Sequence, residues 1–238
     1  MGKNKLARWA ELETFNNVIQ PETGGQFGKD HPVKGNWKKE IFRNGNPIIL
    51  ELGCGKGEYT IALSEQFPCN NYIGIDIKGA RMWRGARIAD ERKAGNVAFL
   101  RTRIEYINSF FERNEVSEIW ITFPDPHPGK RNSNKRLTCP WFLNRYRNIL
   151  KDNGIIHLKT DNTELFNYTK SLAEKNNLSI IAATSDLYSE IYDDDILSIR
   201  THYENLYLKE GLKINYLAFR LEKNRIIEDE SSKYQQGQ

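Results

Sequence analysis

Short apolar segments alternate with longer amphipathic segments over most of this chain, and the alternation restricts the folds that it can adopt. The apolar segments have the length of β-strands and occupy residues 47–53, 72–75, 97–100, 118–123 and 155–159. Segments of helical length separate most of them. Strands that alternate with helices pair in parallel through right-handed crossovers. The sequence therefore predicts an α/β fold with a doubly wound, mostly parallel sheet.

The two ends of the chain lack this alternation. Residues 1–46 mix basic and polar residues with isolated aromatic ones and show no sustained strand or helix period, which predicts a partly ordered basic arm. Residues 47–222 hold the alternation and form the predicted domain, which ends with a helix over 201–210 and a strand over 214–221. Residues 223–238 are polar and predict a mobile tail.

Composition excludes several classes of protein. No apolar run approaches the roughly 20 residues that span a bilayer, and the first ten residues lack the apolar region of a secretory signal, so we expect a cytoplasmic protein without a membrane partner. The three cysteines and four histidines show no metal-ligand spacing, so we predict neither disulfides nor a metal site. A net charge of +4 does not by itself indicate a polyanionic partner, so local clusters of charge matter more.

A glycine-rich loop joins the first predicted strand to the first predicted helix. Residues 51–57 read Glu-Leu-Gly-Cys-Gly-Lys-Gly, and the missing side chains at Gly53 and Gly55 let a ligand approach the backbone closely. A dinucleotide fingerprint has a third glycine at position 58, where a helix N-terminus binds pyrophosphate, but this chain has Glu58. Glu51 ends the strand, where its charge suits the ammonium or sulfonium of S-adenosylmethionine better than a phosphate.

Acidic residues lie at the ends of other predicted strands. Asp76 ends the second strand, the usual place for an acid that accepts hydrogen bonds from ribose hydroxyls. Ligands of parallel sheets bind beyond the carboxyl ends of the strands. We therefore expect Glu51, Asp76 and Asp125 to line one crevice around a single nucleoside.

A proline-rich loop follows the fourth strand and contains the candidate catalytic residue. Residues 123–131 read Phe-Pro-Asp-Pro-His-Pro-Gly-Lys-Arg, and three prolines make the loop stiff. A stiff loop can hold a planar base in one orientation, with Asp125 accepting hydrogen bonds from it. A rigid connector with a solvated Asp125 is the alternative. His127 has no serine or cysteine nucleophile beside it, so we expect a structural role for it.

Basic residues are clustered directly after this loop. Such a cluster suits RNA phosphates, although a solvated charged face is the alternative. The cluster consists of Lys130, Arg131, Lys135 and Arg136. Further basic residues lie on the predicted arm and on the next helix, at Lys3, Lys5, Arg8, Lys29, Lys34, Lys38, Lys39, Arg145 and Arg147.

Taken together, these residues resemble the bacterial tRNA (guanine-N7-)-methyltransferases, from about residue 48 to residue 221. The matching blocks follow the family's order: LELGCGKG at 50–57, GID at 74–76, FPDPHP at 123–128, NKRL at 134–137, KTDN at 159–162 and THYE at 201–204. The resemblance implies a Rossmann-like class I methyltransferase fold with a seven-stranded sheet. It also implies S-adenosylmethionine as the cofactor and guanosine 46 of the tRNA variable loop as the substrate.

The resemblance further implies roles for individual residues. Glu51, Gly53, Gly55 and Asp76 would bind the cofactor, and Asp125 would lie between the cofactor and the target base. The residues that would contact the guanosine are Asp161, Thr201, His202, Tyr203 and Glu204. From the residues alone, Asp161 would instead be a helix N-cap and Tyr203 a core residue.

The chain departs from the family at two positions. Arg103 follows the third strand, where the family usually has a small acidic or amide residue against adenine, so Arg103 joins the predicted cofactor site and adenine would be read by the backbone or by Glu105. Gly129 stands where the family commonly has a lysine, which makes Lys130 the nearest substitute.

The predicted reaction needs no strong base, because guanine N7 carries an exposed lone pair. Positioning can then supply much of the catalysis, while Asp125 and Asp161 offset the positive charge on the methylated base. Methylation of another RNA position, an NAD-dependent oxidoreductase and a catalytically silent RNA-binding subunit are the alternatives. The sequence leaves open whether the protein is a monomer or a homodimer.

Overall fold

An eight-stranded sheet forms the centre of the computed structural model, which describes residues 2–21, 29–189 and 195–229. The strands are β1 (Val18–Ile19), β2 (Ile48–Leu52), β3 (Asn71–Asp76), β4 (Val97–Arg101), β5 (Val116–Thr122), β6 (Leu150–Thr160), β7 (Ile180–Thr184) and β8 (Asn215–Leu221). The α-helices of these residues are α1 (Gly2–Leu12), α2 (Glu58–Gln66), α3 (Gly79–Glu91), α4 (Pro140–Ile149), α5 (Thr163–Lys175), α6 (Asp195–Ser198) and α7 (His202–Lys209). Shorter turns of π or 3₁₀ helix cover Trp37–Phe42, Ile104–Ser109 and Lys130–Lys135.

The order of the strands in the sheet is β1-β4-β3-β2-β5-β6-β8-β7. The pairs from β1 through β6 are parallel, whereas β8 runs antiparallel to both β6 and β7. The predicted α/β fold with a mostly parallel sheet is confirmed. Because the chain moves outward from β2 to β4 and then returns to β5 on the other side, the strand order reverses between β2 and β5, which is where such sheets bind ligands.

The central strands are buried on both faces, which explains why they read as continuous apolar runs in the sequence. All five residues of β2 are buried, and so are the first five residues of β3. The side chain of Glu51 is therefore carried into the interior by its place on β2. An acid at this position needs hydrogen-bond partners, since burial of an unpaired carboxylate is costly.

The described residues of the segment predicted as a basic arm pack against the sheet. Trp37 and Phe42 are buried in the main core, and the Trp37 indole N–H donates to the Phe110 carbonyl at 2.8 Å. Val18–Ile19 adds an eighth strand beside β4, one more than the family resemblance implies. Isolated aromatic residues that are buried one at a time produce no periodic pattern, so this packing could not be predicted from the sequence. Residues 22–28 of the arm lie outside the described residues.

The first part of the predicted tail is also packed. Ile227 is buried, and its backbone N–H donates to Asn144 Oδ1 at 3.0 Å. Arg225 donates to the carbonyl of Asn176 at 2.6 Å, which ties the tail to the end of α5. Residues 223–229 therefore contact α4 and α5, and residues 230–238 lie outside the described residues.

Candidate active site

A cavity of about 290 Å³ opens at the carboxyl ends of β2, β3 and β5, next to the reversal of strand order. Glu51, Asp76 and Asp125 all line it, so the predicted meeting of these three acids in one crevice is confirmed. A second cavity of about 810 Å³ adjoins the first and shares several lining residues with it, including Asp76 and Lys135. The two cavities together form one crevice along the carboxyl edge of the sheet.

The glycine-rich loop leaves space at its cavity side and is tightly packed at its helix side. Gly53 has a φ of +75°, and a Cβ built there would meet nothing within 4 Å. Gly57 has a φ of +71°, and a Cβ there would lie 2.6 Å from the Phe99 ring. Gly57 is therefore needed for packing, whereas Gly53 lets a ligand approach the backbone.

Glu51 is a buried acid that accepts hydrogen bonds from three donors in the protein. Its side chain accepts hydrogen bonds from the Thr60 backbone N–H at 2.9 Å, from the Thr60 hydroxyl and from the Thr122 hydroxyl at 2.7 Å. Burial raises the pKa of Glu51 to about 7; the hydrogen bonds from Thr60 and Thr122 oppose this rise, and the charge of Asp76 adds to it. A carboxyl in this state gains strongly from a nearby cation.

Asp76 connects the end of β3 to the glycine-rich loop. Its Oδ2 accepts from the Gly55 backbone N–H at 2.9 Å, and its Oδ1 accepts from the Lys78 N–H at 2.7 Å. An ionised carboxylate has about four lone-pair sites, so two backbone donors leave capacity for the hydroxyls of a ligand. Asp76 is thus fixed in position and still able to accept hydrogen bonds.

The proline-rich loop has an unusual backbone on both sides of Asp125. Phe123 and His127 have φ values of +48° and +45°, a region that residues other than glycine rarely adopt. Each such residue costs about 1–3 kcal/mol and persists only where the surroundings hold it. Asp125 is exposed and faces the first cavity from this loop.

Arg136 holds the proline-rich loop from behind. Its side chain is 4% exposed, and its Nε donates to the carbonyls of Pro126 and His127, both at 3.2 Å. Its Nη2 donates to Glu164 Oε1 at 2.6 Å, and the same carboxylate oxygen accepts from the Gly129 backbone N–H. The sequence groups Arg136 with phosphate-binding residues, and the structure corrects this assignment, because the guanidinium faces inward and is bonded to the protein.

The other members of the basic cluster face solvent. Lys130 and Arg131 lie exposed on the 3₁₀ turn and line neither cavity. Lys135 is exposed and lines both cavities. All three cations are exposed, and Lys135 faces the crevice.

Glu204 lies in the first turn of α7, and its side chain is buried rather than exposed to a substrate. It forms a capping box with Thr201, in which each side chain accepts from the backbone N–H of the other residue. Its carboxylate also pairs with Lys159 Nζ at 2.8 Å and accepts from the Tyr188 hydroxyl. Both charged side chains of the pair are fully buried. Glu204 does not line the described cavities, and its contacts within the protein anchor α7.

Sequence reasoning missed Lys159, although a lysine in the apolar run of β6 could have signalled a buried partner. Its Nζ also donates to the Ile199 carbonyl at 3.0 Å, which holds the segment before α7. Burial lowers the pKa of Lys159, and Glu204 opposes this change. The pair therefore fixes the segment that carries Thr201 and Tyr203 over the first cavity.

Thr201 and Tyr203 are the residues of this segment that line the first cavity. Tyr203 is 42% exposed rather than a core residue, and its ring lies 5.5 Å from Lys56 Nζ. The side chain of His202 lies outside what the structure describes.

Two further predicted residues lie at the edges of the crevice. Asp161 is partly exposed and lines neither cavity. The N-cap of α5 is Asn162, whose Oδ1 accepts from the Leu165 N–H at 2.8 Å, so the alternative of Asp161 as N-cap is wrong by one residue. Arg103 lines the second cavity and pairs with Glu105 at 2.9 Å.

Within the described residues, histidine, cysteine, aspartate and glutamate side chains form no group of three that could hold a metal ion. In the same part of the chain, no helix has the length and apolar character needed to cross a membrane.

The known proteins that this chain resembles are methyltransferases. A family model described as "Putative methyltransferase" matches residues 45–217. A tRNA (guanine-N(7)-)-methyltransferase of Bacteroides fragilis is 50% identical over 93% of this chain and 87% of its own length. Proteins of the same name from Bacteroides thetaiotaomicron and Clostridioides difficile are 48% and 36% identical, over 96% and 76% of this chain and 90% and 83% of their own lengths.

Solved structures agree with the fold. An antibiotic-related methyltransferase superposes with a TM-score of 0.59 at 16% identity, covering 83% of this chain and 98% of the other. The 16S rRNA methyltransferase KamB superposes with a TM-score of 0.59 at 11% identity, covering 86% of this chain and 96% of the other. At these identities the likeness establishes the class I methyltransferase architecture alone.

Proposed function

The chain belongs to the tRNA (guanine-N(7)-)-methyltransferase family, and on that basis we propose that it transfers a methyl group from S-adenosylmethionine to N7 of a guanosine in tRNA. We place the target at guanosine 46 of the variable loop, as the resemblance of its motifs implies. The observation that carries the proposal is the single cavity lined by Glu51, Asp76 and Asp125 at the point where the strand order reverses.

The residues of this cavity fit S-adenosylmethionine in shape and charge. Gly53 leaves open space at the loop, and the buried Glu51 favours a cationic group such as an ammonium or sulfonium. Asp76 retains lone pairs for ribose hydroxyls. A dinucleotide fits less well, because Glu58 opens α2 where a pyrophosphate would bind. When bound, S-adenosylmethionine supplies an electrophilic methyl group.

The larger cavity gives room for the rest of the cofactor. Arg103 and Glu105 line it as an ion pair, next to Ile104, which faces both cavities. We propose that adenine lies against this segment, with polar recognition from its backbone or from Glu105. Gly55 contributes its backbone through the hydrogen bond that it donates to Asp76.

Guanine N7 has an in-plane lone pair and needs no deprotonation before it attacks a methyl group. The protein therefore has to hold the base in line and offset the positive charge that methylation leaves on it. Asp125 suits this task because it is exposed at the cavity on a loop that Arg136 holds in place. Asp161 lies at the same edge of the sheet but outside the cavities, where it would contact a part of the nucleotide that extends beyond them.

The exposed cations of the 3₁₀ turn Lys130–Lys135 suit the phosphates of an RNA substrate. Lys130, Arg131 and Lys135 lie beside the proline-rich loop, and Lys135 faces the crevice itself. Thr201 and Tyr203 also line the first cavity. Because tRNA is the substrate, we propose that the protein acts in the cytoplasm.

The test is methylation of an unmodified tRNA transcript by the purified chain with isotopically labelled S-adenosylmethionine. We expect labelled 7-methylguanosine after digestion to nucleosides and mass analysis, and none from a transcript with adenosine at position 46. Asp125→Asn should abolish most of the incorporation, whereas the matched control Asp90→Asn, at an exposed position on α3, should not.

Three results would contradict the proposal, each in favour of a different function. Label on an exocyclic amine or on another base would indicate a methyltransferase of different specificity. RNA binding without incorporation would indicate a silent binding subunit. A rise in melting temperature with NAD but not with S-adenosylmethionine would indicate an oxidoreductase.

A further inference from the structure

Trp141 is an exposed aromatic residue on a helix that otherwise buries its apolar side chains. It lies in the first turn of α4 and is 44% exposed, whereas Phe142 and Tyr146 of the same helix are buried. An exposed tryptophan forgoes much of the stabilisation that its burial would give. Trp141 lines the second cavity, so its exposed surface faces the crevice rather than a remote part of the protein.

The indole ring is held in place by its neighbours. The guanidinium of Arg145, one turn further along α4, lies 3.3 Å from the centroid of the ring, which is stacking distance. Arg145 Nε donates to the Glu105 carbonyl at 3.4 Å, and the Phe142 ring packs against Trp141 edge-on, with centroids 4.8 Å apart. A ring fixed in this way loses little conformational entropy when a flat ligand stacks on it.

The surroundings of Trp141 combine cations with hydrogen-bonding groups. Lys135, Asn134 and Arg103 line the same cavity, and Glu105 is its one acidic lining residue besides Asp76. Glu105 is paired with Arg103, which leaves Lys135 and Asp76 as lining residues of opposite charge, and the Arg145 guanidinium on the ring adds a further positive charge. Flat aromatic surfaces flanked by cations are the usual means by which proteins bind unstacked bases of RNA.

We propose that Trp141, backed by Arg145, is a stacking platform for an unpaired tRNA base next to the methylated nucleotide. The inference deepens the proposed function, on which it rests. The second cavity is continuous with the first through Asp76, His127 and Lys135, so a nucleotide stacked on Trp141 lies beside the place where Asp125 faces the target base. Stacking of this kind accepts any base, since every base has a π-face.

The same chemistry could come from another source, the adenine of S-adenosylmethionine, because Thr102 and Ile104 line the second cavity too. The experiment therefore measures two dissociation constants for Trp141→Ala: that of an unmodified tRNA transcript without cofactor, and that of S-adenosylmethionine without RNA. We expect the tRNA constant to rise roughly 5- to 150-fold, the equivalent of about 1–3 kcal/mol. The constant for S-adenosylmethionine should stay unchanged.

Two further measurements separate stacking from charge and from misfolding. Trp141→Phe keeps an aromatic ring and should restore most of the tRNA affinity, and both variants should melt close to the wild type. The salt dependence of tRNA binding should keep its slope in Trp141→Ala, because a neutral side chain releases no counterions.

Several outcomes would overturn the inference. These are unchanged tRNA affinity in Trp141→Ala, a loss of cofactor affinity as large as the loss of tRNA affinity, and no recovery in a folded Trp141→Phe. If the wild type methylates tRNA at N7 and Trp141→Ala binds tRNA equally well, the platform is rejected and the proposed function stands. Failure of the wild type to methylate N7 would reject the proposed function, and the binding measurements would still decide on the platform.

Discussion

Replacement of Glu51 by glutamine should move stability and cofactor binding in opposite directions. Glutamine has nearly the same shape, and its amide can keep hydrogen bonds with Thr60 and Thr122, but it carries no charge. Burial raises the pKa of Glu51 to about 7 from its ordinary value of 4.5. The folded chain therefore holds this proton more tightly than the unfolded chain does, so the contribution of Glu51 to stability is fully present below pH 4.5 and is lost as the pH rises through 7.

The size of the effect follows from the same values. At about 1.4 kcal/mol per pKa unit, a pKa of about 7 in place of 4.5 corresponds to about 3 kcal/mol of destabilisation above pH 8. Glu51→Gln should restore a large part of this lost stability, which for a chain of this size is a rise of roughly 5–10 °C in melting temperature. Near pH 4.5 the two proteins should melt at similar temperatures. An exposed matched control, Glu13→Gln, should follow the wild type at every pH.

The same substitution should weaken binding of S-adenosylmethionine at pH 8 by roughly 10- to 100-fold, because the ligand loses a charged partner. Thermal melts from pH 4.5 to 8.5 and calorimetric titration with the cofactor measure the two effects. A variant that is less stable than the wild type at pH 8 would refute the raised pKa. Unchanged affinity for the cofactor would refute the assignment of Glu51 to a cationic group.

Three other substitutions test the parts that surround the cofactor. Asp125→Asn should lower kcat roughly 100-fold or more while the Kd for tRNA changes little; an equal loss of both would contradict a role in charge stabilisation. Arg136→Lys breaks the fork that holds two loop carbonyls, so kcat should fall by up to about 100-fold through misplacement of the loop, and a change confined to tRNA affinity would instead support an RNA contact. Lys135→Ala should weaken tRNA binding and reduce the slope of log Kd against log salt by about 1, so an unchanged slope would argue against a phosphate contact there.

The sheet and the meeting of its acids could be predicted from the sequence because both depend on local patterns. Strands buried on both faces appear as apolar runs, and parallel strands bring their carboxyl ends to one edge. Glu51, Asp76 and Asp125 each end or directly follow such a strand, so their common cavity follows from the order of strands and helices alone. No contact distant in sequence had to be known.

The parts that the sequence did not predict depend on single contacts between distant segments. Trp37 donates to the Phe110 carbonyl and stacks on the Phe111 ring, and both of these residues lie more than seventy positions further along the chain. β7 is an edge strand with partly exposed residues, and its short run, Ile180–Thr184, shows no alternation. Arg136 looks like any residue of a basic cluster until the positions of Glu164 and the proline-rich loop are known. In each case tertiary packing overrides the local signal.

The family motifs therefore contain two kinds of residue, which activity measurements alone would confuse. Asp125, Lys135 and Tyr203 face the crevice, whereas Arg136 and Glu204, from the same motif blocks, are enclosed and hold the segments that carry the others. We expect loss of either kind to lower the activity. Only for the enclosed residues should the loss of activity be accompanied by a loss of stability, because removal of one partner leaves a buried charge or carbonyl unpaired. A motif residue whose substitution lowers kcat without lowering the melting temperature is thus expected to face the substrate, and a fall in both marks a residue that supports the loop.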